Sequence, residues 1–214
     1  MKKTIILIAF IFVSIVTMSQ TKFGVRAGMT VSTYSSAQYI YKFKPGIHIG
    51  GVADIPIGSS KFSFVPGVYF ADKGTIEKRD SIDIDYVNGY PDHYYKGTNY
   101  NYQLEIPLLF VYKITINNKL SLKPQIGAYI SYGLFEINNW QRDYIGTVTL
   151  DYPTEGTYSR YFYDYPFGLL YGGNVGLSAF YNKYSFTFSC DISSYSRPQI
   201  YPDICMFFSL GYNF

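Results

Sequence analysis

The sequence is poor in the residues that chemistry needs. It holds two cysteines and two histidines, and only 15% of its residues are charged. After position 16 it has no long apolar run. Each shortage removes a class of protein. Without about 20 consecutive apolar residues no helix crosses a bilayer, so a helical membrane protein is excluded. Two histidines, His48 and His93, with no cysteine nearby give no zinc spacing. Basic residues, 18 against 15 acidic, are not clustered into the face that nucleic acid requires. No cofactor motif is present.

The first twenty residues have a different character. Met1-Lys2-Lys3 precedes an apolar run from Ile5 to Val16, interrupted only by Ser14, and Thr17-Met18-Ser19-Gln20 follows. A basic head, a short apolar stretch and small residues before a cut make a secretory signal peptide. Residues 1–19 are predicted to be removed between Ser19 and Gln20, which leaves 20–214 as one domain. No cysteine stands at the cut to be lipidated. The run is also too short to serve as a spanning anchor.

What is abundant is aromatic and small: 25 Tyr, 17 Phe and 19 Gly, with 48% hydrophobic residues and a mean hydropathy of −0.01. Aromatic rings favour strands, and tyrosine suits a membrane–water boundary. Alternation of period two recurs in eight segments. The first sets Phe23, Val25, Ala27, Met29 and Val31 against Gly24, Arg26, Gly28, Thr30 and Ser32. The last sets Ile204, Met206, Phe208, Leu210, Tyr212 and Phe214 against Cys205, Ser209, Gly211 and Asn213. A soluble sandwich would share this alternation, but the connections differ. Short ones (56–60, 114–118, 181–183) alternate strictly with long ones (33–42, 73–99, 136–165, 194–203). All long connections therefore emerge at one end, as in membrane barrels with short periplasmic turns and long outer loops. The expectation is an all-β, eight-stranded antiparallel up-and-down transmembrane barrel in contact with outer-membrane lipid. Pro66, Pro107 and Pro124 fall inside strands, where bulges or water-bridged gaps are expected because proline donates no ladder bond.

The segments 24–32 (GVRAGMTVS), 62–74 (FSFVPGVYFADKG), 104–109 (LEIPLL) and 120–127 (LSLKPQIG) resemble the Bacteroidetes outer-membrane β-barrel family often labelled PorT-like. The likeness spans nearly all of the chain after the leader except the long loops. It departs at Thr30, where asparagine is usual, and at Gly67, where glutamate is common. It implies an eight-stranded barrel in the outer membrane of a Gram-negative bacterium. It implies no activity. The family's namesake takes part in protein secretion, and a shared barrel is a weak warrant for sharing that role. The ending Leu210-Gly211-Tyr212-Asn213-Phe214 resembles the signal read by the barrel-assembly machinery during insertion, with Leu210, Tyr212 and Phe214 as its alternating apolar residues.

Candidate functional residues are few. Arg26, His48, Glu105, Lys123 and Asp191 form a predicted polar cluster in the lumen. It reads as a narrow pore or as a paired plug. An eight-stranded barrel is only wide enough for its side chains, which favours the plug. Among the tyrosines of the 136–165 loop, Tyr144, Tyr152 and Tyr158 are the candidates for an extracellular or envelope protein partner. Asp92-His93 could form part of a rim hydrolase, although an exposed loop pair is the commoner meaning of such a dipeptide. Glu77, Asp80, Asp83 and Asp85 read as solvated charge, since no glycine supplies a tight calcium turn. By parity Cys190 faces out and Cys205 in, so both are expected as free thiols. The resulting expectation is a non-enzymatic barrel without metal or cofactor.

Overall fold

The structure is a computed structural model and describes residues 21–35, 40–82, 93–144, 154–161, 169–194 and 201–214. The expected leader, 1–19, lies outside them. Twelve strands are present: β1 (Lys22–Ser35), β2 (Ile40–Lys42), β3 (Lys44–Pro56), β4 (Phe62–Asp72), β5 (Thr75–Ile82), β6 (His93–Tyr112), β7 (Ile114–Thr115), β8 (Leu120–Tyr144), β9 (Glu155–Tyr161), β10 (Leu169–Tyr181), β11 (Tyr184–Ser194) and β12 (Tyr201–Asn213).

Eight of these close a ring. β1 pairs with β3, β3 with β4, β4 with β6, β6 with β8, β8 with β10, β10 with β11 and β11 with β12. The twelfth strand returns to β1 with Val25 opposite Tyr212 and Met29 opposite Phe208. Closure leaves no sheet edge inside the membrane, which hydrocarbon demands because it offers no hydrogen bonds to bare backbone. The four remaining strands are short additions: β2, β5 and β9 continue the ladder above the ring, and β7 belongs to a turn below it.

The two faces of the wall are inverted relative to a water-soluble protein. Ile47, Ile126 and Leu210 are 66–70% exposed on the outside, whereas Thr30, Ser131 and Asp191 inside are at most 1% exposed. This separates a membrane barrel from a soluble sandwich, a distinction alternation alone cannot make. Aromatic rings mark both borders of the oily band. Phe62 and Tyr112 (4.9 Å between centroids) and Tyr184 and Tyr212 (5.6 Å) lie at the short-turn end. Phe70, Tyr102 and Phe135 stack at the other, 5.8 and 4.6 Å apart. These separations fall within the range that attractive ring pairs prefer.

Three features bear on the expectation. The long connections 73–99 and 136–165 are not plain loops. β5, the first half of β6, the last third of β8 and β9 carry the sheet well beyond the outer aromatic ring. The prolines bring gaps in the ladder, one of the two expected outcomes, but no bulge, and the register is kept. The β3–β4 ladder skips the rungs beside Pro66 and resumes in step, and the β4–β6 ladder does the same at Pro107. Pro124 sits in an unbroken β8–β10 ladder and just past the last β6–β8 rung. Register shifts fall elsewhere, between Thr33 and Ser35, between Arg79 and Ile82, and where Tyr102 faces Phe135 but Gln103 faces Gly133, so that Leu134 is a one-residue bulge.

The short turns are locally determined. Asn182 takes the left-handed φ of 53° between Tyr181 and Tyr184, a conformation asparagine tolerates better than most residues. Asn117 Oδ1 accepts from the backbone N–H groups of Lys119 and Leu120 at 2.9 and 2.8 Å.

Above His48 the chain of Asp72, Lys73 and Gly74 steps inward across Gly46. Thr30 Oγ1 donates to Asp72 O (2.6 Å) and Ser32 Oγ to Gly74 O (2.7 Å), both from β1, two strands away. A Cβ at Gly46 would lie 2.5 Å from Asp72 O and from Thr30 Oγ1. Gly46→Ala should therefore destabilise the barrel by about 1–3 kcal/mol through overpacking. Gly51→Ala should be close to neutral, since nothing approaches its Cβ nearer than 3.8 Å. Urea unfolding of the two variants in lipid vesicles checks the contrast.

Candidate functional site

The lumen is layered by charge. At the short-turn end Lys123 pairs with Asp54, its ammonium 4.3 Å from the Phe180 ring. Above this, Val52, Val65, Tyr69, Leu109 and Val111 form a small apolar cluster. The central layer is polar. His48 Nε2 lies 2.8 Å from Ser209 Oγ, with its ring edge-on to Phe207. Arg26 and Glu105 border the same small cavity of about 20 Å³, together with Gln125, Asn174 and Ser209.

Lys73 dominates the next layer. The inward step at the β4–β5 junction carries it into the lumen, with its own N–H held by Asn101 O at 2.8 Å. Its ammonium meets Asp191 Oδ2 from β11 at 2.6 Å and also pairs with Glu105 from β6. The Tyr129 and Phe207 rings lie 4.5 and 5.1 Å from it. Asp191 uses its second oxygen to accept from Asn174 Nδ2 (2.6 Å). From there, Gln125 reaches Asn174, Ser178 reaches Gln125, and Ser178 meets Thr187. Ser131 Oγ donates to Gln103 at 2.6 Å on the other side. A second cavity, of about 10 Å³, lies beside Lys73 and Cys205. Higher still, Lys44 pairs with Asp72 at 2.6 Å, and Asn99 with Glu136.

Charges removed from water must be paired and hydrogen-bonded, and here four cations (Arg26, Lys44, Lys73, Lys123) share the lumen with five carboxylates (Asp54, Asp72, Glu105, Glu136, Asp191). Both small cavities are of single-water size. Among the described residues, side chains fill the lumen down to these two cavities.

Of the residues singled out from sequence, Arg26, His48, Glu105 and Asp191 come together in the lumen. Lys123 does not join them; it stands at the mouth with Asp54. Sequence reasoning missed Lys73, Lys44, Asp72 and Asp54. Lys73 reads as a loop residue in the sequence, although it keeps the parity of the inward Tyr69 and Ala71, the one signal that points to it. Tyr158 lies exposed on β9, opposite Asn138. Tyr144 ends β8, but its side chain lies outside the described residues, as does all of Tyr152. Leu210 and Phe214 are 70% exposed on the lipid face, with Phe214 N–H bonded to Phe23 O at 2.9 Å. His93 opens β6 opposite Tyr144, while its side chain and Asp92 lie outside the described residues, as do Asp83 and Asp85. Cys190 and Cys205 are free, Cys205 being buried in the lumen.

The extended sheet carries a second feature. Lys96 and Thr98 from β6, Asn139, Trp140 and Gln141 from β8, and Glu155, Gly156 and Thr157 from β9 line an open recess of about 600 Å³. Thr157 Oγ1 donates to Asn139 Oδ1 (3.0 Å), and the Arg142 guanidinium lies 4.5 Å from the Trp140 ring.

A closed antiparallel ring with an oily exterior and a paired, polar interior defines a transmembrane β-barrel. The chain belongs to the family described as outer membrane protein beta-barrel domain, which matches residues 18–194, and it is thus an outer-membrane protein. No curated protein matches the sequence. Similar solved structures include Ail, the attachment invasion locus protein of Yersinia pestis, in complex with the heparin analogue sucrose octasulfate. That comparison has 13% identity and a TM-score of 0.46, and covers 91% of this chain and 99% of that one. A major outer membrane protein from Thermus thermophilus is 14% identical with a TM-score of 0.44, over 91% and 99%. Neisserial surface protein A is 15% identical with a TM-score of 0.38, over 89% and 95%.

Lys73→Met would leave Glu105 and Asp191 facing each other without their cation. The expected loss is about 3–5 kcal/mol, the usual cost of removing one partner from a buried pair. Adding Glu105→Gln and Asp191→Asn to Lys73→Met should restore most of it, as refolding equilibria in vesicles would show. An unaffected single variant would mean that the triad bears no load.

Proposed function

We propose that the barrel is non-enzymatic, that its lumen is a structural plug, and that it meets an external or envelope partner through the sheet standing above the membrane. The contrast in available space supports this most directly: cavities of about 10–20 Å³ inside against a recess of about 600 Å³ outside. The lining of that recess consists of amides, hydroxyls, one indole, one cation and one carboxylate. Such groups recognise a ligand by hydrogen bonding and present no nucleophile and base in register. Tyr144 and Tyr158 on the same sheet, with Tyr152 between them in the sequence, are the candidates for aromatic contact area.

The motifs at 24–32, 62–74, 104–109 and 120–127 support placing the chain in the PorT-like branch of Bacteroidetes barrels. In this reading residues 1–19 are lost on export, and Leu210, Tyr212 and Phe214 are the groups the assembly machinery reads.

Two measurements test the proposal. In planar bilayers the protein should pass no steady current; a sustained open conductance would overturn the plug. In native outer membranes, a photo-crosslinker at Asn139 should give a discrete adduct that one at the lipid-facing Ile126 does not. Gln141→Ala with Thr157→Ala should abolish that adduct. An identical pattern at both sites, or survival of the adduct in the variant, would rule out the recess as the point of contact.

A further inference from the structure

The short-turn end of the barrel carries five lysines, Lys22, Lys61, Lys113, Lys119 and Lys183, and all are exposed. The turns that hold the last four of them (57–61, 113–119 and 182–183) contain no carboxylate, and Lys22 opens β1. The acid closest in sequence to the first of these turns, Asp54, is already paired inside with Lys123. Among the described residues none of the five lysines is in an ion pair. Their backbones are tied into one rim: Lys113 N–H donates to Lys61 O, Asn182 N–H to Lys119 O, and Asn213 N–H to Lys183 O, at 2.8–2.9 Å. Lys61, Lys113, Lys119 and Lys183 are thus held along one rim whose turns carry no carboxylate, and Lys22 joins them opposite Asp54 in the β1–β3 ladder. Such an arrangement sets up a positive potential that draws anions.

The same rim is oily. Ile57, Ile114 and Ile116, in or beside these turns, are 43–53% exposed. Each lysine is also the chain neighbour of an apolar residue at the lower border of the lipid band: Phe23, Phe62, Tyr112, Leu120 or Tyr184. Lys183 Nζ lies 5.7 Å from the Tyr212 ring, at the level of the aromatic girdle. Isoleucines interleaved with lysines suit the boundary between headgroups and acyl chains, where long cationic side chains lay their stems on apolar surface and extend their heads to phosphates. A soluble anionic polymer in the periplasm would account for the lysines but not for the isoleucines.

We propose that this rim is a basic collar that holds anionic phospholipid headgroups of the periplasmic leaflet. The inference rests on the outer-membrane assignment and is independent of the recess. A lysine close to an anionic surface is worth about a fivefold factor in association, so several acting together should select lipid visibly.

The test uses the full mature barrel in nanodiscs of equimolar phosphatidylglycerol and phosphatidylcholine, with bound lipid read by native mass spectrometry. The wild type should retain phosphatidylglycerol over phosphatidylcholine by at least fivefold. The preference should vanish when all five lysines are changed to glutamine, and it should collapse at 1 M salt, where screening acts over about 3 Å. Should the fivefold variant fail to fold, Lys113→Gln with Lys119→Gln should still reduce the preference, and the salt series needs no variant. Equal retention of the two lipids by the wild type would overturn the proposal, as would a preference indifferent to the variants and to salt. Capture of isolated peptidoglycan sacculi without any lipid preference would overturn it as well.

Discussion

Lys73 stands between Asp191 and Glu105 in an interior that excludes bulk water, and much of the surrounding structure follows from that placement. An ammonium there is sustainable only with anions at contact distance, and two carboxylates there only with a cation between them. To bring the lysine in from the wall, the chain at Asp72–Gly74 leaves the line of β4. That step needs a neighbour without a side chain, which Gly46 supplies, and new partners for the displaced carbonyls, which Thr30 and Ser32 supply. Asn174 then fixes the carboxylate of Asp191 in the orientation the lysine requires. Strands β1, β3, β4, β6, β10 and β11 thus hold one another through their side chains as well as through the ladder.

The outside obeys a different solvent. Facing hydrocarbon, the wall can leave no backbone group unpaired, yet Pro66, Pro107 and Pro124 lie within it. The ladders lose rungs next to Pro66 and Pro107 and keep their register, because intact ladder on both sides of each gap pins the pairing. A slip of one residue would turn every lipid-facing side chain into the lumen. In a wall this strongly two-faced, that penalty far exceeds the cost of a missing bond.

The same two-facedness explains what could be read from the sequence. Where one face meets lipid and the other the lumen, as in Phe23–Ser32 or Tyr102–Tyr112, alternation is strong and the strands, the girdles and the inward positions of Arg26, His48, Glu105 and Asp191 are legible. Above the outer aromatic ring both faces are polar. Thr98, Asn99, Asn101, Asn138 and Asn139 are all polar, the alternation fades, and a continuing strand looks like a loop. Lys73 sits on that border, so a residue central to the plug reads as the first residue of a connection. The partnership of Lys123 with Asp54 is illegible for another reason. Parity gives the face of a residue but not its height in the barrel.

The bulge at Leu134 joins the two halves of the molecule. Below it, odd-numbered residues of β8 face inward, including Gln125, Tyr129 and Ser131. Above it, the even-numbered Glu136 and Asn138 do. An extra residue at this point reverses which side chains face out, and it alone puts Asn139 and Gln141 on the outer surface beside Lys96 and Thr98. Without the bulge those amides would point along the axis, above the Lys73 plug, and the outer wall would present Trp140 and Arg142 instead. The recess is therefore a consequence of register, built on the two strands, β6 and β8, that also carry Glu105 and Ser131. Below the bulge the β6–β8 ladder runs in one register through the plug, and above it in another through the recess.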